Sequence, residues 1–163
     1  MKIPESKIPK AALILGSTGV LPFLFCVIVA SFAHSPIART TALQGFVSYG
    51  AVILSFLGGV RWGAALAFPS PRLLMLAIAP SLLAAGCLLI PLARAVPLLG
   101  LGFLVVGLFD AMRGEHALWP HWYKRLRLQL TIAVVALHIV LVFTPTNTTT
   151  AAVNVVNPTG SLP

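Results

Sequence analysis

The sequence predicts an all-α integral membrane protein of five transmembrane helices, and three observations carry that prediction. The chain of 163 residues is 58% hydrophobic and 9% charged, whereas about a quarter of the residues in soluble domains are charged. Its apolar residues fall into runs long enough to cross hydrocarbon, which takes roughly 20 residues of helix. Its lysines and arginines gather at alternate ends of those runs, the pattern that orients multi-pass chains.

Taken in order, a basic amino terminus (1–10) holding Lys2, Lys7 and Lys10 precedes a first apolar segment from Ala11 to Ala33. Ser31-Phe32-Ala33 resembles a signal-peptide cleavage site, but the apolar stretch exceeds the ~7–15 residues of a signal core, so it reads as a retained helix. The sequence H-S-P-I-A-R-T-T leads to a second segment, Ala42 to Phe68, and P-S-P-R leads to a third, Leu73 to Leu92. A tight turn at Pro91 to Arg94 introduces a fourth, Val96 to Phe109, and the fifth runs from Leu128 to Phe143. Pro22 and Pro80 fall within the first and third segments, where each removes a helical hydrogen bond and predicts a kink. The transmembrane domain is thus 11–143, followed by a tail, 144–163, without one ionisable side chain; its composition predicts a flexible segment.

Charge placement predicts orientation. The amino terminus, the second loop and the fourth loop carry Lys2, Lys7, Lys10, Arg72, Arg113, Lys124, Arg125 and Arg127, against Arg39 and Arg94 on the opposite side. Positive residues stay inside, so the amino terminus is expected inside and the tail outside. The net charge of +8 therefore serves topology and contact with anionic lipid headgroups; nucleic-acid binding, which needs a soluble basic face, is not expected.

One arginine breaks the apolar pattern. In S-F-L-G-G-V-R-W-G-A-A-L, Arg61 lies some 20 residues after the second segment begins, roughly 30 Å along its helix and near the inner interface. It can snorkel there, anchored by Trp62. Asp110 closes the fourth segment at the same depth, and charges in lipid face the bundle and pair. An Arg61–Asp110 ion pair joining the second and fourth helices is the sharper expectation. Gly59 and Gly63 form G-x-x-x-G, which lets helices approach closely, and are expected in that same contact.

The stretch W-P-H-W-Y-K-R-L-R puts Trp119, Trp122 and Tyr123 at a headgroup-level belt beside Lys124, Arg125 and Arg127. It is expected to lie along the inner surface before the fifth helix, contacting anionic lipid or a partner. No metal or cofactor is expected. His116 and His121 lack a ligand set, and His138, inside the fifth segment, has no second histidine at its depth for haem; a helix-to-helix hydrogen bond is expected of it instead. Cys26 and Cys87 lie in apolar runs without a C-x-x-C pair and read as small buried hydrophobes.

Y-G-A-V-I-L-S-F-L-G-G-V-R-W-G (Tyr49 to Gly63), Pro80-Ser81, the Asp110 region and W-P-H-W-Y-K-R-L-R-L-Q-L-T (Trp119 to Thr131) resemble a bacterial and mitochondrial membrane protein family of unknown function, which includes mitochondrial transmembrane protein 69. The likeness covers roughly Leu13 to Val142. It implies a small multi-span protein of the bacterial cytoplasmic membrane or the mitochondrial inner membrane, and brings no activity with it. Compartment and likeness together lead to a non-catalytic accessory subunit of a larger respiratory or photosynthetic complex. The alternatives are a small oligomeric carrier using the Arg61/Asp110 region, which requires a polar cavity reaching that pair, and a lipid- or quinone-acting enzyme.

Overall fold

A computed structural model describes residues 8–66, 70–113 and 121–144. Five of its helical stretches are long and apolar enough to cross a membrane. The first is broken into two pieces, α1 (Lys10–Thr18) and α2 (Leu21–Phe32), followed by α3 (Pro36–Ala65), α4 (Pro71–Leu88), α5 (Leu92–Arg113) and α6 (His121–Phe143). Among the described residues there is no strand. The amino-terminal residues 1–7 and the tail from 145 onward lie outside the described residues.

Several boundaries differ from expectation for local reasons. Pro22 cannot donate to the preceding turn, and the first span breaks just before it, at Gly19 and Val20, whose amides fall back on the carbonyls of Leu15 and Ser17. Pro80, by contrast, sits buried within a continuous α4. The expected loop H-S-P-I-A-R-T-T is mostly helix: Pro36 occupies the first position of α3, where its missing N–H is harmless, and Ser35 Oγ accepts from the Ala38 amide at 3.4 Å. Arg39 turns back to donate from Nε to the Ala33 carbonyl at the end of α2, at 2.8 Å. The expected surface segment also differs, since residues 121–127 form the first two turns of α6; Trp119 lies outside the described residues.

α3 is the central rod, packed against α2, α4 and α5, while α6 packs on α5, α2 and the short α1. The core is aromatic. Phe23, Phe46 and Phe103 are almost wholly buried, with Phe23 edge-on to Phe46 at 5.2 Å and to Phe103 at 5.9 Å, the arrangement that the ring quadrupole favours. Tyr49 adds a polar tie by donating to the Gly19 carbonyl at 2.9 Å, which satisfies a backbone acceptor freed by the break in the first span. Small residues set the spacing elsewhere. Gly58 lies against the Ala77 carbonyl of α4, Gly102 receives Leu83 and Leu54, and Gly107 receives the Thr131 side chain.

Candidate functional site

The site begins with one carboxylate at the end of α5. Asp110 lies three residues before the end of that helix and is the single acidic residue among the described residues. Arg61 of α3 reaches Asp110 Oδ1 with Nη2 at 2.7 Å and with Nε at 2.9 Å. Its Nη2 also donates to the Val106 carbonyl at 3.0 Å, and its guanidinium lies 4.6 Å from the centre of the Phe109 ring. Each of these contacts replaces a water the group would otherwise hold, which is why an arginine tolerates this depth. Trp62, by contrast, faces outward at 40% exposure.

Asp110 has a second partner that the sequence reading missed. Arg127 of α6 donates from Nε to Asp110 Oδ2 at 3.0 Å, so each carboxylate oxygen serves one arginine and three helices meet at one charge. Arg127 was expected to face lipid headgroups; it is instead turned inward, 7% exposed. The cause is helical phase. Arg127, Thr131, Val134, His138 and Leu141 recur at spacings of three and four, and all five are buried, so Arg127 lies on the stripe that faces the bundle. The Tyr123 phenol lies within electrostatic reach of all three charged groups.

The other predicted interfacial residues divide by exposure. Trp122 is half-buried, with its ring 6.1 Å from that of Tyr123; Tyr123 and Lys124 are also half-buried, and Arg125 is exposed. Gly59 and Gly63 do not lie in the α3–α5 contact. A Cβ added at either would meet nothing within 4 Å, so the G-x-x-x-G face looks out of the bundle. His138 differs from expectation too. Its Nδ1 pairs with the Val134 carbonyl of its own helix at 2.8 Å, and its ring packs among Phe23, Phe46 and Phe103. A carbonyl can only accept, so Nδ1 carries a proton. The ring enters because Gly100 leaves room, with the His138 Cβ 3.0 Å from where a side chain would begin.

Two cavities flank the charged cluster. One of about 390 Å³ lies between α3, α4 and α5, reached by Arg61 and otherwise lined by apolar groups such as Leu76, Pro80, Leu101 and Phe109. A second of about 180 Å³ is lined by Arg127 and Thr131 of α6, by Gly16 and Gly19 at the break in the first span, and by Phe56 and Phe103. Among the described residues no group of three or more His, Cys, Asp or Glu side chains is placed to hold a metal ion.

Against known proteins, the family described as a protein of unknown function, DUF3429, matches residues 8–143. Transmembrane protein 69 of Xenopus tropicalis is 37% identical over 139 residues, covering 78% of this chain and 51% of the relative. Transmembrane protein 69 of Mus musculus is 33% identical over 138 residues, covering 76% and 52%. The chain therefore spans about half the length of the curated relatives it matches. No solved structure matches. Five apolar helices and relatives named as transmembrane proteins make this a multi-pass membrane protein.

Proposed function

The chain belongs to the DUF3429 family of proteins of unknown function, and from that membership and the outer face of α3 we propose that it is a non-catalytic accessory subunit. It packs against a larger complex of an energy-transducing membrane, a bacterial inner membrane or a mitochondrial inner membrane. The observation that carries this reading is a stripe on α3 that none of the described helices covers. Gln44, Ser48, Val52, Gly59 and Gly63 are all exposed, within a span running from Pro36 to Gly63. Lipid offers no partner to a carboxamide or a hydroxyl, while a facing helix does, at about 0.6–2 kcal/mol per interhelical hydrogen bond. The open glycines let such a helix come close. The occupant is a membrane-spanning helix of a partner protein, and anionic lipid fills the inner rim beside Lys124 and Arg125.

The test is a photo-crosslinking side chain at Val52, in native membranes, beside a control at Leu82 on the lipid-facing side of α4. One defined partner protein is expected from Val52, absent from Leu82 and lost when Gly59→Leu fills the groove. A species that extracts gently as a monomer, or crosslinks only to a second copy of itself, overturns the reading. Transport through the Arg61–Asp110 region remains the second reading; the cavity reaching Arg61 has a lining otherwise apolar, and solute flux in liposomes decides it.

A further inference from the structure

Arg127 and Thr131 leave polar atoms without partners in a buried place. Arg127 Nη2 and Thr131 Oγ1 are fully shielded and make no hydrogen bond, though Arg127 is 7% and Thr131 4% exposed. Both residues line the cavity of about 180 Å³, though these two atoms are closed off from its open space and meet a guest only after a small rotation of their side chains. Buried donors are paired in nearly all structures, with protein, water or ligand. The other lining residues are two glycines, Gly16 and Gly19, and residues with apolar side chains, and the Gly19 carbonyl already accepts from Tyr49.

Charge says what kind of guest fits. Among the described residues two arginines share one carboxylate, so the cluster they form carries one net positive charge in a region shielded from water, where charge is costly. A guest bearing a single negative charge cancels it. A guanidinium Nη2 can only donate, so the guest offers an acceptor. Size and access narrow the class further. A cavity of 150 Å³ admits benzene, so this one, of about 180 Å³, admits a small head and the first methylenes of one chain, whereas a phospholipid brings a glycerol and a second acyl chain as well. Its rim includes Leu15 and Phe56, 73% and 65% exposed on the lipid-facing surface, which gives a chain a lateral way out. The break in the first span falls at this same cavity, where irregular backbone in a membrane is tolerated.

We propose that this cavity, between α1–α2, α3, α5 and α6, binds the carboxylate head of a single-chain fatty acid, held by Arg127 Nη2 and Thr131 Oγ1, with its chain emerging past Leu15 and Phe56. The site holds whichever way the chain crosses the bilayer, and it needs no partner protein.

Oleate, methyl oleate and dioleoyl phosphatidylglycerol, titrated against the purified full chain in neutral detergent and read by thermal unfolding and native mass spectrometry, test the proposal. Oleate alone is expected to bind as a single copy and raise the unfolding midpoint. Arg127→Met is expected to weaken it roughly tenfold or more, the worth of one charge-assisted hydrogen bond, while Arg125→Met leaves it unchanged. Because an Arg127 variant can also perturb packing, a diazirine-bearing oleate is crosslinked to the unaltered protein. Labels on the α1 and α3 residues at the cavity rim support the site. Equal binding of methyl oleate, displacement by phosphatidylglycerol, labels scattered over the lipid-facing surface, or no binding (water alone in the cavity) each overturn it.

Discussion

Replacing Asp110 with asparagine tests the charged cluster most directly. The three side chains are 13%, 17% and 8% exposed, so solvent screens them weakly. With charge centres about 4 Å apart, each arginine–carboxylate contact is worth about 4 kcal/mol at an effective dielectric of 20, and the two arginines, about 8 Å apart across the carboxylate, repel by about 2 kcal/mol. Asp110→Asn removes both attractions and leaves the repulsion standing. After the dehydration already spent on the ions, the loss is expected at about 3–5 kcal/mol, the usual cost of stranding buried charge. Arg127→Met removes one attraction together with the repulsion and leaves a neutral Arg61–Asp110 pair, so about 1–2 kcal/mol is expected. The assay is reversible unfolding by SDS in mixed micelles, followed by tryptophan fluorescence, with Trp122 near the cluster as reporter. If Asp110→Asn costs less than about 1 kcal/mol, or Arg127→Met costs as much as Asp110→Asn, the carboxylate does not neutralise two arginines and the reasoning fails.

Further predictions follow from close approaches and open faces. Gly107→Ala places a methyl group into the Thr131 side chain and is expected to cost about 1–3 kcal/mol in the same unfolding assay; the added substitution Thr131→Ala should recover part of it. Gly59→Ala and Gly63→Ala meet open space and should leave the stability of the isolated protein within about 0.5 kcal/mol, while weakening any crosslink from Val52. Arg127→Lys keeps the charge opposite Asp110 but ties its single ammonium there, so the unfolding midpoint should stay near that of the unaltered protein while oleate binding falls.

The Arg61–Asp110 meeting was legible because Arg61 is the one charge within the Ala42 to Phe68 segment, acidic residues number three in the chain, and the alternation of basic loops put the two at one depth. Arg127 was not, because it sits in a run with Lys124 and Arg125 beside two aromatic residues, and such a composition reads as headgroup contact. Its helical phase was the available signal: counting four, three and four residues onward reaches Thr131, Val134 and His138, and a histidine that deep in an apolar span marks the inward face. The glycines mislead for a related reason. G-x-x-x-G says that a helix face is smooth, not which neighbour it meets, and Gly58, one residue away and a third of a turn round the helix, is the glycine against α4. Pro22 announced a disturbed first span, yet the position of the break depends on Gly19 and on Tyr49 reaching across from α3, a contact between residues thirty apart.

Arg127 is hard to explain by packing alone. Once Arg61 has paired with Asp110, the carboxylate needs no second cation. A methionine or leucine at 127 would fill the same place on α6 without dehydrating a guanidinium, at a net loss of only about 1–2 kcal/mol. An unpartnered buried donor adds a further cost of about 1–3 kcal/mol, and Thr131 adds another one turn along. Both residues lie on the helix face that lines the smaller cavity, next to the place where the first span gives up its helical hydrogen bonds. A guest that accepts from both atoms and carries one negative charge removes all of these penalties together. Tight packing at this spot would remove the cavity but leave the charge.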